Sequence, residues 1–477
     1  MGGRLRIAIV GYGTGGQASA LMLSRDGHAV EVFERALELG PVGAGFLLQP
    51  VGLAVLWEMG LLDDVLGHGA MVTRLYGQTS RGRPVMDMRY GELDKRLFGL
   101  GLQRGALFGL LDAAWQEGRQ IHRGCTVASI DAERGSVTDA EGHRHDGFDL
   151  IIVADGTASR LRNQVVPATL DRPYPWGAQW CLVEQGDWPW IDELRQRYVA
   201  ARRMVGMLPV GTRPDDPVRR LSFFWSMPTA SLDDGVMDAD RWREDVATVW
   251  PEAADRLRAT DVPTGLAVAR YRDAVHRHWS HGRAVLLGDA AHAMSPQLGQ
   301  GVNMALLDAH ALRDALRVHG AVADALAAYE RQRRSHVGIY HFWSRWLTPL
   351  FQSDRDTAAR WRDRLFHPLS RVPGGRGQML RVLTGTRKGW FGRFPLSDGF
   401  VDTLAAMGRP KTPPDICRPA CPRQPVETAS SPSCEAEGGT KCLCFVTTFH
   451  CRVSALVSRR FFALVSSFRH DVMLGDF

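Results

Sequence analysis

The chain opens with short apolar segments around a glycine-rich stretch, which predict a strand, a tight turn, a helix and a second strand. Residues 7–10 are apolar, residues 11–16 contain four glycines, and residues 29–34 form another largely apolar run. Between the two runs, Ala18 and Met22 share one helical face with Leu21. This order predicts a βαβ unit, in which the two strands lie parallel in one sheet.

Later apolar patterns predict two more parallel strands, a different kind of sheet and a helical region. Residues 148–154 and 283–287 are largely apolar runs bounded by charge and glycine, as buried parallel strands are. Between about 170 and 275, short β-rich pieces separated by Pro and Gly predict an inserted antiparallel sheet. Residues 300–345 carry apolar side chains at the spacing of one buried helical face.

Composition narrows the classes of protein to consider. The 477 residues are 45% hydrophobic, enough to bury the cores of about two globular units. The net charge of +6 comes from scattered arginines without a dense basic run, so we expect no nucleic-acid partner. No apolar stretch reaches the roughly 18 residues of a membrane span, and no apolar signal core follows the first residues, so we expect no integral membrane association.

Six of the eight cysteines crowd the last part of the chain, leaving Cys125 and Cys181 in its body. Two isolated thiols make no disulfide framework, which predicts a cytoplasmic protein. The spacings among the six do not match the paired C-x-x-C of a standard zinc site, so we expect no metal.

The glycine stretch carries the first functional motif. Gly11-x-Gly13-x-x-Gly16 follows a strand and opens a helix, and Glu34 ends the next strand. Gly11 permits the tight turn, Gly13 lets a pyrophosphate approach, and Gly16 lets helix and strand pack closely. The helix N-terminus offers free N–H groups to phosphates, and the carboxylate would accept hydrogen bonds from a ribose. The motif predicts a dinucleotide site but does not separate FAD from NAD.

Two later segments decide the cofactor. They are residues 149–162, DLIIVADGTASRLR, and residues 288–303, GDAAHAMSPQLGQGVN. With the glycine motif they make three ordered motifs, and over about residues 5–345 the chain resembles the class A flavoprotein aromatic hydroxylases. The resemblance implies FAD as cofactor, NADPH or NADH as co-substrate, and a monooxygenase that uses O2 to hydroxylate a small aromatic substrate through a flavin C4a-hydroperoxide.

The resemblance also implies the fold class, α/β, with a Rossmann-type FAD-binding domain, an inserted antiparallel β-sheet substrate domain and a C-terminal helical region. We expect a discontinuous FAD-binding domain, and we expect the Cys-rich tail to be disordered. The predicted boundaries are 1–72, 98–168 and 276–330 for the FAD-binding domain, 73–97 and 169–275 for the substrate domain, 331–410 for the helical region, and 411–477 for the tail.

Most candidate site residues follow from the resemblance. Asp289 would face the ribityl and pyrophosphate side of FAD, and residues 299–303 would pass their backbone beside the isoalloxazine ring. Asp155 resembles an acid that contacts the cofactor, but could equally cap a helix beside Ser159. The complete cofactor-binding set is Gly11, Gly13, Gly15, Gly16, Glu34, Arg35, Gly45, Arg104, Asp155, Asp289, Gly299, Gln300, Gly301, Val302 and Asn303.

The substrate side is less defined by the sequence. Pro296 resembles a proline near the reacting ring face, but it could equally be a loop proline. Arg104 would reach the pyrophosphate; the alternative is a surface arginine. His292 is interpreted as a hydrogen-bonded packing residue. No substrate base is predicted. An apolar pocket would be lined by about half of the aromatic residues of the inserted sheet, the other half facing its core: Trp176, Trp180, Phe223, Phe224 and Trp225.

Two other functions use the same features. One is another flavin enzyme on this scaffold, an epoxidase, halogenase or reductase; residues 188–191, WPWI, loosely resemble a halogenase motif, but its spacing and final proline are wrong. The other is a flavin-binding regulatory protein without turnover. Acceleration of NAD(P)H oxidation by an aromatic compound separates a hydroxylase from the non-catalytic alternative.

Overall fold

The computed structural model describes residues 3–40, 43–233, 238–260, 265–370 and 375–408. The chain divides into two compact units, residues 1–404 and 405–477, and only 405–408 of the second are described. The predicted Cys-rich tail therefore lies outside the described residues.

The strands include all the predicted segments. In chain order they are β1 Arg6–Val10, β2 Ala29–Glu34, β3 Gly45–Leu48, β4 Ala70–Val72, β5 Arg74–Thr79, β6 Pro84–Arg89, β7 Gly99–Gln103, β8 Gln120–Arg123, β9 Val127–Asp131, β10 Ser136–Asp139, β11 Arg144–His145, β12 Leu150–Val153, β13 Ala168–Glu184, β14 Glu193–Val199, β15 Arg203–Arg213, β16 Asp216–Pro228, β17 Ala267–His276, β18 Ser280–His281, β19 Ala284–Leu286, β20 Arg387–Lys388 and β21 Gly392–Arg393.

The helices pack around these strands and dominate the C-terminal part of the first unit. They are α1 Thr14–Arg25, α2 Pro50–Glu58, α3 Leu62–His68, α4 Arg104–Ala114, α5 Arg162–Val165, α6 Ala230–Asp233, α7 Ala239–Val249, α8 Pro251–Arg256, α9 Asp289–His292, α10 Gly301–Val318, α11 Val322–Phe351, α12 Asp356–Ser370, α13 Gly375–Leu383 and α14 Asp398–Met407, with 3-10 turns at Tyr90–Glu92 and Pro296–Leu298.

The first sheet is the predicted nucleotide-binding one. Its six strands follow the order β18-β19-β12-β1-β2-β8, and all neighbours are parallel except the short β18 against β19. The consecutive residues Ile7, Ala8 and Ile9 are fully buried, because apolar side chains on both faces of a central parallel strand are covered by helices. The carboxyl ends of β1, β2, β12 and β19 therefore meet at one edge of the sheet.

The second sheet comes from the inserted segments. Its order is β17-β13-β16-β15-β14-β5-β6, so residues near 74–89 join strands from 168–276. The pairs are antiparallel as predicted, except that β14 runs parallel to β5. A parallel pair is possible here because the two strands come from separate parts of the chain and no hairpin turn fixes their relative direction.

The C-terminal region after residue 331 is helical, interrupted by the two-stranded hairpin of β20 and β21. The predicted α/β class, with parallel and antiparallel sheets and a helical C-terminal region, is confirmed. None of the helices in the described ranges combines the length and the hydropathy that a membrane span requires.

Candidate functional site

The glycine turn after β1 is a steric necessity. Gly11 has φ +100°, and its N–H donates to the carbonyl of Phe33 at 2.9 Å. A Cβ on Gly11 would lie 2.5 Å from the carbonyl oxygen of Ala154, and a Cβ on Gly16 would lie 2.0 Å from that of Gly11. Both positions therefore exclude side chains, because α1, β1 and the end of β12 approach each other there.

The start of α1 borders open space. Apart from its chain neighbours, no atom lies within 4 Å of a Cβ built on Gly13, whereas one built on Gly15 would meet the Leu287 side chain at 2.6 Å. The first turn of α1 contains no acid, and the N–H groups of Thr14, Gly15 and Gly16 precede the first intrahelical bond, from Gln17 to Gly13. This helix end is a cradle for an anion.

Glu34 fixes the glycine turn to the end of β2. One carboxylate oxygen accepts from the N–H of Tyr12 at 2.7 Å, and the other accepts from the N–H of Ala36 at 2.9 Å. The carboxylate remains partly exposed, so further lone pairs face solvent, and the neighbouring Arg35 side chain is exposed. The acid can thus hold the turn and accept hydrogen bonds from a bound hydroxyl group.

Asp289 joins the ends of two parallel strands to a helix N-terminus. It follows β19, and its Oδ2 accepts from the hydroxyl of Thr157 at 2.8 Å, in the loop after β12. Its Oδ1 lies 3.7 Å from a Cβ built on Gly301, at the start of α10. The residues 149–162 and 288–303, distant in sequence, are therefore brought together.

Asp155 has one satisfied and one unsatisfied oxygen. Its Oδ2 accepts from the N–H of Arg160 at 3.3 Å, while Oδ1 is buried without a hydrogen-bond partner among the described residues. Burial raises the pKa of Asp155, although Ser159 and Arg162 act in the opposite direction. The hydrogen bond from Arg160 to Oδ2 is of the kind expected if Asp155 caps a turn. The unsatisfied Oδ1 can accept a hydrogen bond from a bound ligand.

Arg162 is a positioning residue to which the sequence assigned no role. Its side chain is fully buried, and Nη2 donates to the carbonyls of Gly156 at 3.1 Å, Thr157 at 2.6 Å and Asp289 at 3.3 Å. One guanidinium thus ties the loop after β12 to the loop after β19. The available signal was an arginine seven residues after Asp155 within the motif of residues 149–162.

Arg104 begins α4 and lies near Asp289. We call the space bordered by Arg104, Asp289 and the starts of α1 and α10 the cleft. The Cδ and Nε atoms of Arg104 lie 3.0 Å from a Cβ built on Gly43, and its guanidinium carbon is 5.7 Å from the centre of the Phe46 ring. Arg104 is exposed by its accessible surface, but the protein around it desolvates the guanidinium enough to lower the pKa of Arg104, whereas Asp289 and Tyr271 act in the opposite direction. It makes no ion pair with the described residues, so this cation faces the cleft without a partner.

Residues 299–303 present backbone rather than side chains. Gly299 has φ +60°, in the left-handed region, with open space around a Cβ built there. The Gln300 side chain donates to the carbonyl of Leu383 at 2.8 Å, and Asn303 accepts from the N–H of Gln49 at 2.8 Å. With these side chains engaged, the N–H groups of Gly301, Val302 and Asn303 remain at the acid-free start of α10.

Gly45 and Pro296 occupy different surroundings. A Cβ on Gly45 would meet Val210 at 2.6 Å and Ser222 at 3.0 Å, so β3 packs closely on the second sheet. Pro296 opens the 3-10 turn just before α10, after Ser295, whose hydroxyl is 2.6 Å from that of Ser344. The first position is fixed by packing, and the second lies in a loop anchored to α11.

Strand alternation separates the aromatic residues of the second sheet. Phe223 and Trp225 belong to the core under α7, where Phe223 packs edge-on against Trp242 at 5.7 Å. Trp180 and Phe224 lie on the opposite face with ring centres 5.0 Å apart. That face meets the nucleotide-binding side, because Ser222, two residues before Phe224, packs against Gly45. The same alternation places Trp176, which is also buried, with Trp180.

Tyr271 joins this aromatic face to the cleft. Burial raises the pKa of Tyr271 to about 12, while Trp180 and Arg104 act in the opposite direction, so both lie close to it. The Tyr271 hydroxyl and the indole N–H of Trp180 are buried and interact with each other, but neither atom has a well-formed hydrogen bond in the described part of the chain. An apolar surface with two unsatisfied polar atoms suits a small aromatic ligand with a polar group.

A buried ionic network joins α10 and α11 to the turn that precedes Asp289. Asp308 is fully buried in α10, and its Oδ2 accepts from the N–H of Gly288 at 3.0 Å and lies 2.6 Å from Nε2 of His292. Its Oδ1 accepts from Nε of Arg333 at 2.6 Å, and Arg333 in turn contacts His336. His292 is thus a hydrogen-bonded packing residue, as predicted. The network holds the turn that presents Asp289.

We expect the buried histidines of α11 to make the fold sensitive to acid. Burial lowers the pKa of His336 to about 3, helped by Arg333, and burial likewise lowers the pKa of His341 to about 3. Between their unfolded and folded pKa values the unfolded chain binds more protons, so stability falls as pH drops from about 6.5 towards 3. Each histidine contributes a slope of about 1.4 kcal/mol per pH unit.

Denaturant unfolding at several pH values measures this slope. The His336→Gln variant, which cannot titrate at that position, should show a shallower loss of unfolding free energy below about pH 6.5. An unchanged slope would mean that His336 does not stay neutral in the folded protein.

Comparison with known proteins adds a family and several relatives. Residues 4–339 match the family described as FAD binding domain. Kynurenine 3-monooxygenase of Salinispora tropica is 31% identical over 360 residues, which are 70% of this chain and 78% of that protein. The 3-amino-4-hydroxybenzoate 2-monooxygenase of Streptomyces cremeus is 31% identical over 391 residues, 75% of this chain and 92% of that protein.

Solved structures share the fold. A crystal structure of 2-methyl-3-hydroxypyridine-5-carboxylic acid oxygenase is similar with a TM-score of 0.64 and 25% identity, covering 78% of this chain and 99% of that one. HpxO of Klebsiella pneumoniae, complexed with FAD, is similar with a TM-score of 0.67 and 24% identity; the match covers 80% of this chain and 99% of the HpxO chain.

Proposed function

The chain belongs to the class A FAD-dependent aromatic hydroxylases, and we propose that it uses NAD(P)H and O2 to hydroxylate a small, electron-rich aromatic compound in the cleft described above. The observation that carries this proposal is the meeting of the glycine turn, Asp289 and the start of α10 beside an aromatic face of the second sheet. This arrangement combines a dinucleotide cradle with an apolar substrate surface.

The cleft fits FAD chemically. The pyrophosphate is an anion, which suits the acid-free start of α1 and the unpaired guanidinium of Arg104. The ribose and ribityl hydroxyl groups are donors, which suit the acceptor-only carboxylates of Glu34 and Asp289. The buried free oxygen of Asp155 offers a further acceptor. We propose that these residues, with the backbone of Gly11, Gly13, Gly15, Gly16, Gly45 and residues 299–303 and the exposed Arg35, bind FAD.

The chain's own residues provide position, charge and exclusion of water. Bound FAD supplies hydride acceptance and oxygen activation. The free N–H groups at the start of α10 carry partial positive charge, which would stabilise negative charge on the bound cofactor. Trp180, Phe224 and Tyr271 would hold the substrate ring and keep water from the reacting atoms. We also propose that residues 73–97 and 169–275 act as the substrate domain, inserted into an FAD-binding domain of residues 1–72, 98–168 and 276–330.

The reaction is tested by oxygen incorporation. Purified protein should show an oxidised-flavin spectrum, and its oxidation of NADH or NADPH in air should accelerate with the right aromatic compound. A first panel follows the substrates named for the relatives: kynurenine, urate and 3-amino-4-hydroxybenzoate. The product should be heavier by one oxygen atom that comes from labelled O2. A halogenated product, or no acceleration with any aromatic compound, would contradict the proposal.

Replacing Arg104 tests the cofactor side. The Arg104→Met variant should bind FAD about 10- to 100-fold more weakly, because a charge-assisted hydrogen bond contributes about 1.5–3 kcal/mol. Fluorescence titration of the stripped protein with FAD measures the dissociation constant. Arg134→Met, at a side chain that is 73% exposed, is the control and should bind like the parent. Equal affinities of the two variants would place Arg104 outside the cofactor site.

Replacing one tryptophan on each face of the second sheet tests the substrate side. Trp180→Phe should raise substrate KM or release more hydrogen peroxide per NAD(P)H, while the flavin content stays unchanged. Trp225→Phe makes the same chemical change on the opposite face and should lower only thermal stability, since that ring packs in the core under α7. If the two variants affect KM equally, the proposed substrate face is wrong.

A further inference from the structure

A second group of chemically reactive side chains lies on the small three-stranded sheet β11-β10-β9. Cys125 follows β8, Asp139 ends β10, and His145 ends β11. Their ligand atoms all lie within 4.8 Å of one another, and no other such group of three His, Cys, Asp or Glu residues occurs in the ranges that the structure describes. The proposed hydroxylation uses none of these residues.

The distances approach those of a tetrahedral metal site. Oδ2 of Asp139 is 4.0 Å from Sγ of Cys125 and 3.8 Å from Nε2 of His145. Two ligand atoms at about 2.0–2.3 Å from a tetrahedral zinc ion are about 3.3–3.7 Å apart. Shifts of a few tenths of an ångström would bring these two pairs to zinc-coordination spacing, and the third pair, Sγ of Cys125 and Nε2 of His145, lies within 4.8 Å.

The ligand atoms are already oriented by the surrounding chain. Oδ1 of Asp139 accepts from the N–H groups of Glu141 at 2.9 Å and His143 at 2.8 Å, which turns Oδ2 towards the other two side chains. Nε2 of His145 is buried and has no hydrogen-bond partner among the described residues, and its ring rests against Phe33 at 4.9 Å. A buried ring nitrogen with an available lone pair is the form of histidine that binds metals.

A fourth ligand position is accessible. Nδ1 of His143 lies 3.2 Å from Oδ2 of Asp139, and its side chain is 68% exposed. In the structure the His143 ring is not within 4.8 Å of all three other ligand atoms, so this exposed side chain would have to turn to complete the coordination; otherwise solvent completes it. A mixed set of thiolate, imidazole and carboxylate suits zinc and related divalent transition metals better than Mg²⁺ or Ca²⁺, which prefer oxygen ligands alone.

We propose that Cys125, Asp139 and His145 bind a zinc-class divalent metal ion, with His143 or solvent as the fourth ligand. The N–H of Cys125 donates to the carbonyl of Glu34 at 2.9 Å. The ion would therefore link the small sheet to the end of β2, beside the acid proposed to bind the cofactor ribose. Its expected role is structural, because the site joins elements without using the hydroxylation cleft. The ion needs a deprotonated thiol, so binding releases a proton.

Zinc affinity of the full-length, FAD-loaded protein tests this site. After removal of metal by a chelator, zinc is titrated against a competing indicator for the parent, Cys125→Ser, Asp139→Asn and a Cys181→Ala control. The parent and the control should bind one zinc ion more per chain than Cys125→Ser and Asp139→Asn, or bind it more than about 100-fold more tightly, since even outer partners of a metal ligand affect affinity 10- to 100-fold. The cysteines near the C-terminus are identical in all four proteins, so their contribution cancels.

Cobalt(II) gives an independent readout. The parent loaded with Co²⁺ should show a sulfur-to-metal charge-transfer band that Cys125→Ser lacks, measured as a difference spectrum against the metal-free holoenzyme. Flavin absorbance and melting temperature show whether each variant has folded; should Cys125→Ser fail to fold, Asp139→Asn and His145→Gln decide the question. Equal zinc binding by all four proteins, or loss with Cys125→Ser but not with Asp139→Asn, would overturn the proposal.

Discussion

The Gly16→Ala protein should lose FAD and be isolated without yellow colour. The new methyl group would lie 2.0 Å from the carbonyl oxygen of Gly11, which is backbone and cannot rotate away. The start of α1 would have to move by more than an ångström, taking its free N–H groups away from the phosphates. Two charge-assisted hydrogen bonds contribute about 3–6 kcal/mol together, so FAD affinity should fall by more than about 100-fold.

Gly109→Ala is the matched control. It also places alanine in a helix, α4, but apart from the backbone of that helix and the neighbouring residues, no atom lies within 4 Å of a Cβ built there. Alanine favours helix by about 0.5–1 kcal/mol over glycine, so this variant should keep its flavin and gain slightly in stability. Flavin content after gel filtration and FAD titration compare the two. Full flavin content in Gly16→Ala would show that α1 does not hold the cofactor.

The Asp308→Asn protein should be about 3–5 kcal/mol less stable than the parent, because breaking a buried ion pair leaves the other charge without compensation. Arg333 has only 2% of its side chain exposed and would remain charged in the core. The turn at Gly288 would also lose an anionic acceptor, so FAD binding should weaken along with stability. Denaturant unfolding of the FAD-free proteins isolates the effect on the fold.

The pH dependence distinguishes this ion pair from simple packing. Burial pushes the pKa of Asp308 upwards, but His292 and Arg333 outweigh it and lower the pKa to about 2. A depressed carboxyl pKa contributes stability above the unfolded value of about 3.9, and this stability is lost as pH falls towards 2. The difference between parent and variant should therefore be constant near neutral pH and shrink below about pH 4.

Asp314→Asn provides the control on the same helix. The Asp314 side chain is 38% exposed and pairs with Arg313 at 2.6 Å. Partly exposed ion pairs contribute about 0–1 kcal/mol, so this variant should remain close to the parent. If both variants lose the same stability, the buried network has no special role.

Local features of the fold were predictable from the sequence, whereas features that depend on long-range packing were not. The β1-α1-β2 unit was predictable because its turn, helix face and second strand depend on residues within one short segment. For the second sheet, the sequence predicted only that the aromatic residues alternate between two faces, without saying which face each residue occupies. The structure assigned Phe223 and Trp225 to the α7 core and Trp180 and Phe224 to the other face, because that choice depends on which layer covers each side.

Residues missed by the sequence make contacts across long separations. Arg162 binds the carbonyl of Asp289, 127 residues away, and Asp308 binds the N–H of Gly288, 20 residues away. No local sequence pattern indicates either contact. An acid on the apolar face of α10 was the one available sign for Asp308. The ligand spacing of Cys125, Asp139 and His145 matches no standard motif, so the sequence predicted no metal there, and the proposed site departs from that expectation.

The sequence by itself determined the βαβ unit and the alternation of the strands, because glycine turns, helix faces and strand alternation are short-range patterns with direct steric causes. The family and the cofactor also followed from the sequence, through the resemblance of its three ordered motifs to the class A flavoprotein aromatic hydroxylases. The tertiary structure alone decided that Gln300 and Asn303 bind protein backbone through their side chains, that Tyr271 lies near Arg104, and that an acid in α10 meets an arginine in α11. These contacts depend on how separate layers pack, and packing depends on the shapes of all the side chains between them.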